Sequence, residues 1–536
     1  MMGDNKTIHN NKLFHNKNAY EDLSIDRDIF NVIDRTITKF GKIKLRHRLA
    51  YCSANLITLQ NLTSKNYTIH HDRIYVNKMK KILYQVRDIE DFAEKWMIEQ
   101  CNTDLVYGWD LLNNRYLLSV SNKLKFSSLL IVMAFYVLVF IYLYYYNIMA
   151  SPTGYVKSIV TGYYEISKIM FCLMMKDKLW IERSALILTC LYVGWQLYIT
   201  YQTCNTCYEH YGTCNLFYKE YEKTAKYIDI AERMYECDTY NDNNKVKESI
   251  NYLKYYFTED VSLGFSLVAK LGVDDYVKHM DVIANFIGRI DYQISTSILL
   301  DEGYGVPSFV SGAFPILHID GIWNPVLDPE FLVKNSLTIN VTKPNVMIIT
   351  GPNKAGKSTF MRSIITCVYL AQSLGICCAD KMSATPFRDL FTYLNVPDCI
   401  GRESLFEAEI NRCFNYIEKT ESLRGFSIGI VDELFTGTNP KEGKAGSYAI
   451  LKRISNNPTN ITILSTHFYD ILEKLDKNNF TFTKFTATKV RNTYTYDYKI
   501  QDGITDQCIA LELLKEKGFD KSVIDDAFSF IKNNNT

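Results

Sequence analysis

Gly351-Pro352-Asn353-Lys354-Ala355-Gly356-Lys357-Ser358 decides the reading of this chain. It has the form G-x-x-x-x-G-K-S, in which glycines let the backbone wrap closely around oxygen atoms. The run before it, Asn345 to Thr350, is mostly apolar and reads as a buried strand. The run after it, Thr359 to Leu370, reads as a helix with an apolar face. A strand, a glycine loop and a helix N-terminus aim several backbone N–H groups at one point, where the helix dipole adds positive potential. Lys357 is expected to reach the β- and γ-phosphates of a nucleotide, and the Ser358 hydroxyl to ligate Mg²⁺. A chance glycine-rich turn would not carry such flanks on both sides.

A second pattern completes that chemistry. Phe426 to Val431 is a short apolar run ending in Asp432 and Glu433. Buried strands of a parallel sheet deliver side chains from their C-terminal ends into a ligand crevice. Asp432 is expected to hold Mg²⁺ through water, and Glu433 to polarise the attacking water as general base. Adjacent acids alone also occur on ordinary surfaces. Here another apolar strand, Ile461 to Ser465, follows and ends in Thr466 and His467. His467 would read the γ-phosphate or orient the water; an isolated histidine there would be an ordinary strand-end residue.

Thr350 to Arg362 resembles the nucleotide loop of the MutS mismatch-repair ATPases, which usually read T-G-P-N-M-x-G-K-S-T; Lys354 replaces their methionine. Asp432-Glu-Leu-Phe-Thr-Gly-Thr438 resembles their D-E-x-x-x-G-T, and Ser465-Thr-His467 their A-T-H. Ser404-Leu-Phe-Glu-Ala-Glu-Ile410 is similar to their S-T-F-x-x-E-M signature. The resemblance implies that Ser404 acts in trans on nucleotide held by a partner subunit. Segments near the C-terminus, among them Tyr496 to Gly503 and Gly518 to Ile524, resemble the close of that family's ATPase domain. Weaker likeness runs upstream through Phe40-Gly-Lys42, Asp88-Ile-Glu90, Met280 to Ala284, Tyr304 to Pro307 and Trp323 to Leu327. The stretch from Met1 to about Asp34 is polar and too short for the mismatch-sensing domain with its Phe-x-Glu wedge. Mismatch recognition in the family's usual manner is therefore not expected.

Composition narrows the remainder. A hydrophobic content of 47% suffices for a large core, and a net charge of +1 excludes a global basic field for nonspecific nucleic-acid binding. Arg46-His-Arg48 and Lys78-Met-Lys-Lys81 are small basic clusters that read first as solvated helix faces. Fourteen cysteines accompany a polar N-terminus without a secretory signal, which points to reduced thiols. Cys204, Cys207, His210 and Cys214 offer four soft ligands. Zinc sites usually join two separated ligand pairs, so free thiols are the preferred reading over zinc.

Residues 126–148 form an uncharged run long enough to span a bilayer, and 184–203 a second, more polar one. Two readings stand: a membrane hairpin, or buried helices of a helical core, since a helix apolar all round fits either setting. The family's DNA clamp normally interrupts this region, so encirclement of DNA is in question.

The expected fold is multidomain, α followed by α/β. Residues 1–34 form a polar tail and 35–300 a long α-helical core or lever domain. Residues 301–340 form a connecting segment, and 341–536 a P-loop ATPase domain of the ABC type with a mostly parallel sheet. The resemblance implies a dimeric ATPase using ATP and Mg²⁺, a homodimer or a heterodimer with a related subunit. It would couple hydrolysis to movement of helical arms on DNA, in mismatch repair or a related transaction. Its nucleotide would rest on Gly351 to Thr359 with Ser404 closing the site. The competing reading is a membrane-tethered or scaffold ATP switch of MutS descent acting on protein partners. Cytoplasm or nucleus is the expected location, with membrane association under the hairpin reading.

Overall fold

The computed structural model describes residues 13–14, 17–98, 222–240, 243–257, 273–340, 344–394, 405–435, 437–490, 493–505 and 518–534, with isolated helical positions between 161 and 202. The chain divides into two compact units, Met1–Arg87 with Ala284–Thr536, and Asp88–Ile283. In chain order the main helices are α1 (Lys39–Leu49), α2 (Leu56–His71), α3 (Arg73–Ile98), α4 (Asn244–Tyr256), α5 (Val273–Asp301), α6 (Lys357–Leu374), α7 (Leu405–Ser422), α8 (Pro440–Ser455) and α9 (Lys521–Asn534).

The larger unit is organised around a six-stranded sheet: β1 (Val346–Thr350), β2 (Phe387–Tyr393), β3 (Phe426–Asp432), β4 (Asn460–Ser465), β5 (Phe480–Lys484) and β6 (Gln501–Asp502). Strand order is β6-β5-β1-β4-β3-β2. Five strands run parallel and β6 pairs antiparallel at one edge. Side chains alternate across a pleat. Met347 and Ile349 of β1 therefore join a core with Phe360, Ile364 and Val368 of α6. Val346 and Ile348 join the opposite core with Tyr416 of α7 and Leu451 of α8. Burial on both faces explains why β1 is an unbroken apolar run rather than an alternating one. The mostly parallel sheet matches the expectation from sequence.

Helix ends follow local chemistry. Pro440 opens α8, and the Asn439 side chain accepts from the Lys441 amide. The last turn of α6 stops at Gly375, which adopts φ 71° and donates to the Ala371 carbonyl.

Three expectations change. Residues 17–33 are not a polar tail: they are helical, and Ala19, Leu23, Ile25, Ile29, Phe30 and Ile33 are buried in the same core as α6. The intervening acids and Arg27 hide this apolar stripe from a reading of composition. The segment 301–340 is more than a join. Its strands Ser308–Phe309, Leu317–Ile322 and Asn335–Ile339 form a four-stranded sheet with Lys381–Ala384, which lies beyond α6 in the chain. Residues 35–300 do not cluster as one body, since 35–87 and 284–300 group with the C-terminal unit.

In the smaller unit, helical residues 222–237 and α4 bury Tyr227, Ile230, Met234, Ile250 and Leu253. Among the described residues no helix is long and apolar enough to cross a membrane. None of their His, Cys, Asp and Glu side chains gather as a metal-holding group. Residues 126–148, most of 184–203, the cluster Cys204, Cys207, His210 and Cys214, and Ser404 lie outside the described residues. The six described cysteines are free thiols.

Candidate functional site

β1 passes directly into the glycine loop. Thr350 is anchored on three sides: its hydroxyl donates to the Thr483 carbonyl (3.3 Å), the Thr505 amide donates to that hydroxyl (3.1 Å), and the Phe485 amide donates to its carbonyl (2.9 Å). Gly351 follows at φ 151°, where a Cβ would stand 2.9 Å from the Phe485 carbonyl oxygen. Gly356, at φ 101°, ends the loop and starts α6 without a side-chain cap, so the first amides of the helix face the loop. Pro352 and Ala355 are buried, whereas Asn353, Lys354 and Ser358 are exposed and Thr359 half-buried.

Lys357 turns inward. Its ammonium donates to the carbonyls of Gly351 (2.9 Å) and Pro352 (3.2 Å). Burial pushes its pKa down, opposed by the nearby charges of Glu433 and Asp432. The three side chains thus share one electrostatic neighbourhood, although they come from α6 and the end of β3.

β3 and β4 run in parallel register, with Asp432 beside Ser465. The Ser465 hydroxyl donates to Asp432 Oδ1 at 2.5 Å. Glu433 leaves the strand in the left-handed region, φ 59°, and its amide donates to the Ser465 carbonyl (3.3 Å). This turn aims the Glu433 carboxylate at His467, whose Nε2 lies 2.8 Å from Oε1. The His467 hydrogen bond holds the Glu433 carboxyl below its ordinary value, against the effect of burial and with help from Lys357. His467 Nδ1 lies 3.4 Å from the Tyr469 hydroxyl, which is 3.5 Å from the Gly351 carbonyl oxygen. A polar path therefore runs from the acid through the imidazole and a phenol back to the loop.

These elements border a cavity of about 420 Å³. Asn353, Lys354, Lys357, Ser358 and Glu433 form its polar wall; Leu327, Phe331, Val333, Phe485 and Tyr498 form its apolar wall. Asn335 fixes Tyr498 in place by donating to its carbonyl and accepting from the Ile500 amide, both at 2.9 Å. The Tyr498 ring then lies over the loop: a Cβ on Gly356 would be 3.2 Å from its Cδ1. Sequence reasoning missed Phe331, Tyr469 and Tyr498. Nothing in their local pattern marks them, because each reaches the site only through the fold. Ser358 and Asp432 supply hard oxygen donors, the kind that suits Mg²⁺ rather than a soft metal.

The family model of MutS domain V matches residues 347–534, which take in the loop, both acids and His467. Residues 347–534 are thus similar to MutS domain V, and the matched relatives are MutS and MSH3 proteins, at low identity over part of the chain. DNA mismatch repair protein MutS of Lactococcus lactis subsp. cremoris is 26% identical over 342 residues, covering 62% of this chain and 38% of the relative. DNA mismatch repair protein MSH3 of Vanderwaltozyma polyspora is 26% identical over 297 residues, covering 54% of this chain and 28% of the relative. MutS of Haloquadratum walsbyi is 28% identical over 264 residues, covering 47% and 27%. The chain thus matches at most about two fifths of the length of these relatives.

Proposed function

We propose that this chain is a MutS-type ATPase that works as a dimer and couples ATP turnover to a DNA transaction related to mismatch repair. What supports this reading is the convergence of Lys357, Ser358 and Glu433 on one cavity that also has an apolar wall, with His467 2.8 Å behind the Glu433 carboxylate. The amides of the loop residues other than Pro352, from Gly351 to Thr359, and the α6 dipole bind the phosphates, and Lys357 exchanges its loop carbonyls for phosphate oxygens. Phe331 and Tyr498 offer apolar cavity surface to the nucleobase. Mg²⁺, held by Ser358 and by Asp432, supplies charge neutralisation of the phosphates when bound. Glu433 accepts the proton of the attacking water, and His467 keeps that carboxylate ionised and oriented. Ser404 of a second subunit closes the site over the γ-phosphate, so turnover requires the dimer. Catalysis then comes from positioning and charge stabilisation, without a covalent intermediate.

The test is phosphate release by wild type and Glu433→Gln, with nucleotide binding measured in parallel. Turnover is expected to fall by about 10²–10⁴-fold, as for loss of a positioned general base, while binding persists. Equal turnover in the two proteins overturns the assignment.

A further inference from the structure

The glycine loop carries a second lysine with a geometry unlike the first. Lys357 is buried and bonded to loop carbonyls, whereas Lys354 is exposed at the turn of the loop and lines the same cavity. Lys354 adopts φ 69°, a left-handed conformation that residues with a Cβ rarely take. Glycine or asparagine would occupy that position with less strain. A strained lysine there is explained if its side chain is used. Among the described residues no hydrogen bond or ion pair occupies its ammonium. The other charged groups on the wall are engaged, Lys357 with carbonyls and Glu433 with His467. Lys354 is therefore an exposed cation on the wall of a cavity whose other charged groups are already engaged.

We propose that Lys354 is a second phosphate-binding cation, which captures the phosphate tail of an incoming nucleoside triphosphate and sets the preference for the more highly charged nucleotide. The proposal rests on the nucleotide reading of the cavity and adds to it. Attraction by an exposed charge scales with the phosphate charge it faces and is screened by salt. The contribution of Lys354 is then largest for ATP, smaller for ADP, and weakened as ionic strength rises.

The experiment uses fluorescent ATP and ADP analogues with the full chain, at 50 and 200 mM salt, comparing wild type with Lys354→Met, Lys354→Gly and Lys354→Arg. The methionine and glycine variants are expected to bind the ATP analogue about tenfold more weakly at low salt, as for loss of one hydrogen bond to a charged group. They should lose less for ADP and show a flatter salt dependence, while arginine restores binding. The methionine and glycine variants together separate charge from backbone, because both remove the ammonium and only glycine also relaxes the strained turn. If Lys354→Gly binds the ATP analogue as tightly as wild type at both salts, the side chain is not used and the proposal fails. A wild-type protein that binds neither analogue would instead defeat the nucleotide reading itself.

Discussion

Replacing Lys357 with alanine separates what the loop needs from what the fold needs. In the structure the Lys357 ammonium donates to the Gly351 and Pro352 carbonyls and is pushed toward neutrality by burial. Deletion removes two bonds, yet it also relieves a buried charge, and water in the adjoining cavity can reach the freed carbonyls. The two effects oppose each other, leaving a net change of about 1 kcal/mol. For a domain of roughly 200 residues that is about 2–4 °C in melting temperature. Nucleotide at a hundred times its Kd should stabilise the wild type by about 2.7 kcal/mol, or about 5–11 °C. If alanine weakens binding about a hundredfold, the same concentration yields about 0.4 kcal/mol, or about 1 °C. The assay is a set of thermal melts over a range of ATP with Mg²⁺. A wild-type-sized nucleotide shift in Lys357→Ala refutes the role of the ammonium. A ligand-free melt lowered by more than about 10 °C refutes the cancellation between lost hydrogen bonds and relieved charge.

Two pH experiments probe groups whose pKa the fold displaces. His467→Ala removes the strongest influence holding the Glu433 carboxyl low, leaving burial to push it up. Since the base acts as the carboxylate, the acid limb of the kcat profile should move to higher pH; an unmoved limb refutes the coupling. Asp291 is fully buried on α5, where it accepts from the Ile37 and Thr38 amides and the Thr38 hydroxyl. Burial raises its carboxyl from 3.8 to about 6, against those hydrogen bonds and with help from Asp34. A raised carboxyl favours folding while protonated, so this contribution is present below about pH 4 and lost as pH rises through about 6. Denaturant unfolding of wild type and Asp291→Asn should show the wild type losing about 3 kcal/mol relative to the variant across that window. A constant difference would count against a displaced carboxyl.

The strand, glycine loop and helix at 345–374 were legible because their chemistry is local. The expected strand, Asn345 to Thr350, is observed as Val346–Thr350, and the expected helix, Thr359 to Leu370, as Lys357–Leu374. Asp432, Glu433 and His467 were equally readable, since each follows an apolar run that a parallel sheet must bury. Boundaries upstream were less so. Ile25, Ile29, Phe30 and Ile33 stand among charges, and their burial depends on a core supplied by residues hundreds of positions away.

By itself, then, the sequence determined that a glycine-rich turn and two carboxylates lie at the ends of buried strands, because glycine freedom and apolar runs act over a few residues. Only the tertiary structure decided what surrounds them. Tyr469 comes near the Gly351 carbonyl, Tyr498 lies over Gly356, and Phe331 joins the cavity wall, each from a distant segment. Pairing of β4 with β1 brings Tyr469 near the loop, and Asn335, on a strand of the other sheet, holds Tyr498; such pairing of segments far apart in the chain is a property of the packed core rather than of any local pattern.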